Sequence, residues 1–319
     1  MSCDDPPEGN FVYLLPANIY GFDMQEKNWV DLQVDNIHPL QWNKGAFHSL
    51  AIDNESKELI DALVNNKIAA EKATDMVAGK GNGLIILLHG GPGTGKTLTA
   101  ESVAEIAEKP LYRVTCGDIG TEPRQVEKYL QQVFHLGKLW SCVVLLDEAD
   151  VFLEQRSLAD LSRNALVSVF LRTLEYYDGI LILTSNRVGT FDEAFKSRIQ
   201  LALHYKPLDG PQRQQIWKNF TERLETLQKE GENGGEGGER IDTKAIMKSI
   251  DNLAKYEMNG RQIRNAITTA RQLALFKKEM LSIKHLEHSI KVSGKFDKYL
   301  EEVHDNIKDD EMARQDSIR

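Results

Sequence analysis

Cysteine is scarce in this chain of 319 residues. The three thiols, Cys3, Cys116 and Cys142, are too few and too odd in number to build a disulfide scaffold. Cys116 closes one apolar run and Cys142 opens another. If those runs are neighbouring parallel strands, the two thiols lie at opposite ends and cannot pair. Reduced thiols and a reducing compartment are the expectation. Long apolar runs are missing too: the longest purely aliphatic stretches, such as LIILL at 84–88, fall far below the roughly 20 residues that span a bilayer, so no transmembrane segment is expected. No strongly basic run stands out, and the net charge of −9 speaks against general binding along a nucleic-acid backbone, leaving at most a local basic groove. The opening MSCDDPPEGN has neither the basic-then-apolar order of a secretory signal nor the arginines of a transit peptide, which points to an intracellular protein, cytoplasmic or nuclear. No internal repeat is visible.

What is present begins with enough apolar residues, 41%, for a real core, and enough length for one large domain and a smaller one. The rest is arranged around residues 84–97, LIILLHGGPGTGKT. A buried strand runs into a glycine loop, and LTAESVAEIAEK continues as a helix. That context turns the pattern G-x-x-x-x-G-K-[ST], Gly90 to Thr97, into a phosphate-binding loop. Backbone N–H groups must wrap a triphosphate closely, which calls for residues without a Cβ in left-handed turns; Gly91, Gly93 and Gly95 are assigned that part, with Pro92 stiffening the loop. The helix N-terminus adds a partial positive charge. Lys96 is expected to reach the β- and γ-phosphates, counting as both a binding and a catalytic residue, and the Thr97 hydroxyl to ligate Mg²⁺. Thr94 and Leu98 complete the nucleotide-binding set.

Before the loop, residues 11–37 hold three short β-type runs, FVYLL, NIYGF and WVDLQV. AIDNESKELIDALVNN follows as a helix capped by Asp53 or Asn54, with Leu59, Ile60, Leu63 and Val64 on its apolar face. From Leu84 the rhythm is βαβα, which means a parallel sheet covered by helices. Its strands read LIILLH, LYRVTC, CVVLLD, ILILTS and IQLALH. Helices lie between them after Lys96, over 123–137 and over 159–177, the last stopped by Asp178-Gly179. After Leu208 only helical patterns follow, interrupted by GENGGEGGE, a flexible linker by composition. The resulting division is 1–45, a β-rich extension; 46–207, an α/β nucleotide-binding core; 208–295, a helical domain with the flexible loop 231–239; and 296–319, a charged tail.

A second constellation lies downstream. VVLLDEAD, residues 143–150, is an apolar strand ending in acids. Leaving the sheet at its carboxyl edge, it brings Asp147 and Glu148 to the phosphates, Asp147 for the Mg²⁺ shell and Glu148 as general base toward water. Asn186, just past the apolar part of ILILTSNR, can orient that water or touch the γ-phosphate.

With GGPGTGKT, LLDEAD, TSNR, DEAFKSRI and an appended helical domain, the chain resembles the AAA group of AAA+ ATPases from about Phe47 to Val292, and within it AAA-domain proteins of fungi. The resemblance implies a P-loop NTPase fold: a five-stranded parallel sheet of order 5-1-4-3-2 flanked by helices, then a small all-α lid. It implies ATP and Mg²⁺ as ligands, Asp147 and Glu148 as the Walker B pair, and Asn186 as the sensor-1 residue. Assembly into a homo-oligomer, a hexameric ring, would put active sites between subunits. Arg198, in KSRIQ, matches the arginine finger aimed at a neighbour's γ-phosphate, and Arg261, in NGRQIRN, matches a sensor-2 arginine of the wider class. Two departures stand out. Many AAA members have two consecutive arginines where this chain has Ser197-Arg198. The aromatic pore loop expected after the second core strand is replaced by CGDIGTEPRQ, which argues against peptide threading.

Other P-loop classes fit less well: a second RecA-like core does not fit a helicase into this length, and no N-K-x-D base reader of a GTPase is found. Two readings stand: a ring-forming, Mg-ATP-hydrolysing remodeller of a protein partner, or a nucleotide-gated assembly scaffold that hydrolyses little. The protein substrate is not legible in the sequence.

Overall fold

The computed structural model describes residues 16–69, 83–120, 122–156, 160–187, 191–232 and 240–303. It divides into two compact units, residues 1–42 and 43–319. In the first, β1 (Asn18–Asp23) and β2 (Asn28–Gln33) pair antiparallel from Asn18 opposite Gln33 to Asp23 opposite Asn28. The hairpin closes because the Asp23 carboxylate accepts the N–H groups of Gln25 and Glu26, and Lys27 takes the left-handed conformation at φ 55°. Phe22 and Trp29 meet edge to face at 5.6 Å. The expected run FVYLL lies outside the described residues.

The second unit begins with α1 (Gly45–His48) and α2 (Asn54–Ala69), the latter capped by Asp53, whose carboxylate accepts the Ser56 N–H. Ile60 and Val64 are buried as expected, but Leu59 faces solvent. There follow β3 (Leu84–Gly90), α3 (Lys96–Ala107), β4 (Leu111–Thr115), α4 (Cys116–Ile119), α5 (Pro123–Leu139), β5 (Val143–Asp147), α6 (Asp150–Leu153), α7 (Leu161–Glu175), β6 (Ile180–Ser185) and β7 (Leu201–Tyr205). The strands form one parallel sheet in the order β4-β5-β6-β3-β7. Numbered from β3 as the first, that is the expected 5-1-4-3-2.

The three inner strands, LIILLHG, VVLLD and ILILTS, are almost wholly buried, as befits a parallel sheet with both faces covered. Edge strand β7 alternates buried and exposed residues. One core cluster joins Leu84, Ile86 and Leu88 of β3 to Val103 and Ala104 of α3 and to Ile60 and Val64 of α2. Helix α3, which follows the glycine loop, is thereby packed against the sheet.

Two local details depart from the periodicity. The run LYRVTC stops as a strand at Thr115, because Thr115 and Asp118 cap one another and start α4 at Cys116. Helix α7 ends at Glu175 and not at Asp178-Gly179; Gly179 is needed instead for closeness, since a Cβ there would lie 2.2 Å from the Tyr177 hydroxyl oxygen.

After β7 come α8 (Gly210–Glu232), α9 (Thr243–Lys248), α10 (Ile250–Leu253), α11 (Gly260–Lys277) and α12 (Ile283–Val303). Helix α8 runs through Gly231 and Glu232, so the stretch read as a linker starts helical; 233–239 lie outside the described residues. The helices share a core of their own, with Trp217 at its centre among Leu224, Ile246, Leu253, Ile263 and Leu286. Among the described residues the contacts of this helical layer with the α/β layer include two polar ones: Asn219 donates to the Ser49 carbonyl at 2.5 Å, and the Gly260 N–H donates to the Gly93 carbonyl at 2.9 Å. The second contact lands on the glycine loop itself.

Candidate functional site

The loop between β3 and α3 owes its path to three left-handed glycines: Gly90 (φ 142°), Gly93 (φ 71°) and Gly95 (φ 105°). Gly91, expected to take such a turn, does not; Gly90 does so in its place. The reason is close approach. A Cβ on Gly90 would lie 2.1 Å from the Tyr205 carbonyl oxygen on β7, and one on Gly93 would lie 2.6 Å from the Asn259 side chain at the head of α11. Pro92 sits between them, and the Thr94 hydroxyl donates to the Gly91 carbonyl at 2.8 Å. Lys96 is buried, and its ammonium donates to the carbonyls of Gly90 and Gly91 at 2.8 and 2.7 Å. It thus lies across the loop it would share with phosphate. Leu98, two residues on, is exposed.

The strand ends beside the loop carry the acids. Asp147, only 6% exposed, accepts from the Thr184 hydroxyl at 2.5 Å, from Arg113 at 2.5 Å and from the Thr97 hydroxyl at 3.2 Å. Glu148 has a left-handed backbone (φ 59°), a strained state for a side chain of this kind. Its N–H is anchored on the Thr184 oxygen at 2.9 Å. Thr184 on β6 therefore donates to one acid and accepts from the next. A buried carboxylate beside a hydroxyl is a pair of oxygen donors that suits a hard divalent ion, although a guanidinium already engages this one.

Asn186 lies at the same edge. Its backbone N–H donates to Asp150 at 3.1 Å, and the Ser185 hydroxyl donates to the same oxygen. The last acid of LLDEAD thus fixes the end of β6.

The two other arginines lie elsewhere. Arg198 follows the turn at Glu193–Phe195 and bonds the Ala194 carbonyl at 2.8 Å and Glu175 of α7 at 3.4 Å. It is half-buried, and its Nε has no hydrogen-bond partner among the described residues. Arg261 is exposed in the first turn of α11, beside the Gly260–Gly93 contact.

Sequence reasoning overlooked Arg113, Thr184, Asn259 and Glu101. Only the position of Arg113 and Thr184 on core strands, of Glu101 on the loop helix and of Asn259 as the cap of α11 could have drawn notice. Glu101, on α3, has its carboxyl held above the usual range, first by desolvation; the charge of Asp147 adds to this, and those of Arg113 and Arg264 oppose it. A cleft of about 240 Å³ next to the loop was also not foreseen; it is lined by Ile52, Asp53, Thr94, His204, Tyr205 and Gln212, among others. His204 stacks on His89 of β3 at 4.9 Å and 8°. Burial, then the charges of His204 and Lys96, push His89 down to about 4.

Comparison with known proteins agrees with this architecture. Residues 86–206 match the model of the ATPase family associated with various cellular activities (AAA), and residues 208–307 match that of the fungal AAA+ ATPase lid domain. ATPase family AAA domain-containing protein 3-B of Xenopus laevis is 30% identical over 181 residues, 53% of this chain and 30% of that protein. The human protein 3B of the same name is 32% identical over 136 residues, 41% of this chain and 20% of that protein. The chain thus spans less than a third of the length of these relatives. Among solved structures, the FIGL-1 AAA domain superposes with a TM-score of 0.57 at 19% identity, covering 79% of this chain and 85% of that one, a likeness of fold. No described helix is long and apolar enough to cross a membrane. The chain thus carries an AAA domain at 86–206, followed at 208–307 by a lid domain of the fungal AAA+ ATPase type.

Proposed function

We propose that this protein binds Mg-ATP in the loop at Gly90–Thr97 and hydrolyses it, as one subunit of a homo-oligomeric ring that acts on a protein partner. The observation that carries the reading is the joining of three elements at Asp147: Thr97 from the loop helix and Thr184 from β6 both hydrogen-bond that carboxylate, while the N–H of Glu148 returns to Thr184. Phosphates entering the loop would take over the Lys96 ammonium from the Gly90 and Gly91 carbonyls. Thr97 and Asp147 would hold Mg²⁺, which offsets phosphate charge when bound. Glu148 would accept the proton of the attacking water, with Asn186 orienting it. The cleft bounded by Thr94, His204 and Gln212 would take the base. Arg198 would act on the neighbouring subunit's nucleotide, and Arg261 on its own through the lid.

Lys96→Ala should abolish nucleotide binding by calorimetry. Glu148→Gln should keep binding and lose about 10²- to 10⁴-fold in turnover, the size of a general-base contribution. Loss of binding in Glu148→Gln would make Glu148 structural or a metal ligand instead.

One observation favours the second reading, a nucleotide-gated scaffold. Where a threading ATPase displays its pore loop, residues 116–119 form the short helix α4 here, with Ile119 5% exposed, and the stretch CGDIGTEPRQ holds no aromatic residue. Tight nucleotide binding with negligible turnover at every protein concentration would select it.

A further inference from the structure

An ionised carboxylate at the end of a buried strand is costly unless a cation faces it. For Asp147 that cation comes from the chain itself, since a guanidinium nitrogen of Arg113 lies 2.5 Å from its Oδ2. The sheet register explains the reach. Arg113 stands opposite Leu145 and Thr115 opposite Asp147, so the long arginine side chain extends forward by two residues along β4 to meet the acid. The other carboxylate oxygen takes the Thr184 hydroxyl, and Thr97 lies at 3.2 Å. The guanidinium therefore competes for the carboxylate at which Mg²⁺ would be held. It is also free to leave, because half of its side chain, 51%, is in solvent while that of Asp147 is 7% exposed.

We propose that Arg113 is the resident counter-ion of the metal site, neutralising Asp147 when no nucleotide is bound and yielding it to the Mg-nucleotide by swinging out into solvent. This rests on the assignment of Asp147 as metal ligand. The consequence has two signs. A triphosphate without metal meets an acid already neutralised, so Arg113 aids metal-free binding. A triphosphate with Mg²⁺ must evict the guanidinium, so Arg113 opposes it. An arginine that merely braces β4 would move both affinities in one direction.

The test is calorimetric binding of a non-hydrolysable ATP analogue, once in EDTA and once in saturating Mg²⁺, to the wild-type chain, Arg113→Met and Arg113→Lys. In Arg113→Met, metal-free binding should weaken and Mg-dependent binding should tighten, each by about three- to tenfold for a half-exposed ion pair. Arg113→Lys keeps the charge without the fork, and should fall between; it carries the test should Arg113→Met not fold. Both affinities falling together, or neither moving, overturns the proposal while leaving the nucleotide site standing. A wild-type chain that binds the analogue in neither condition overturns the nucleotide site and this proposal with it.

Discussion

Thr184 shows how much of the site hangs on one hydroxyl. It gives its proton to Asp147 and takes the N–H of Glu148, whose backbone is left-handed. Thr184→Val keeps the shape and removes both bonds. Leaving a buried partner unsatisfied costs about 1–3 kcal/mol, so the melting temperature should drop by several degrees and turnover by at least tenfold, with Lys96 still able to bind nucleotide. Full activity in Thr184→Val would show that Asp147 and Glu148 are positioned by something else. His89 offers a test by pH. Its value in the folded chain, about 4, lies below the ordinary 6.5, and its Nδ1 has no hydrogen-bond partner among the described residues. The unfolded chain therefore takes up the proton first as pH falls. The stability that neutral His89 contributes is intact above about 6.5 and is lost progressively toward about 4. His89→Gln should shrink the fall in melting temperature between pH 7.5 and pH 5; an unchanged fall would assign the acid sensitivity to other groups.

Elements were legible where a local pattern decides them. Each inner strand is an unbroken aliphatic run because both its faces are covered, and the glycine loop announces itself by its spacing. What escaped the sequence depends on partners far along the chain. Arg113 meets Asp147 across 34 residues, and Asp147 meets Thr184 across 37. Gly90 needs its missing Cβ because Tyr205 lies against it, and Gly93 because Asn259 does. Leu59 stands one helical turn before Leu63 and next to Ile60 yet is exposed, since the buried stripe of α2 is narrower than the pattern. The lid has its own core around Trp217 and should fail on its own terms. Trp217→Ala removes a fully buried indole, a change that costs about 3–5 kcal/mol. Hydrogen exchange should then rise through α8, α9 and α11 while β3, β5 and β6 stay protected. Equal loss of protection in the sheet would mean that the two layers fold as one cooperative unit.

For the whole molecule the question is whether one chain suffices. Arg198 is tied to Ala194 and to Glu175 at the end of α7, and none of these contacts is with the glycine loop. A guanidinium placed so can stabilise charge on a transferring phosphoryl group only if a second copy presents that group. An arginine finger is worth about 10³- to 10⁵-fold in turnover, whereas a partly exposed ion pair such as that with Glu175 is worth about 0–1 kcal/mol. The two roles are thus far apart in size. The most direct measurement is steady-state ATP turnover of Arg198→Ala, alone and mixed with Glu148→Gln. Arg198→Ala should bind ATP normally and be nearly inactive alone. The mixture should regain activity, because some interfaces then combine an intact Glu148 with a donated Arg198. Turnover of Arg198→Ala alone at close to the wild-type rate would contradict both the finger in trans and the hydrolytic ring.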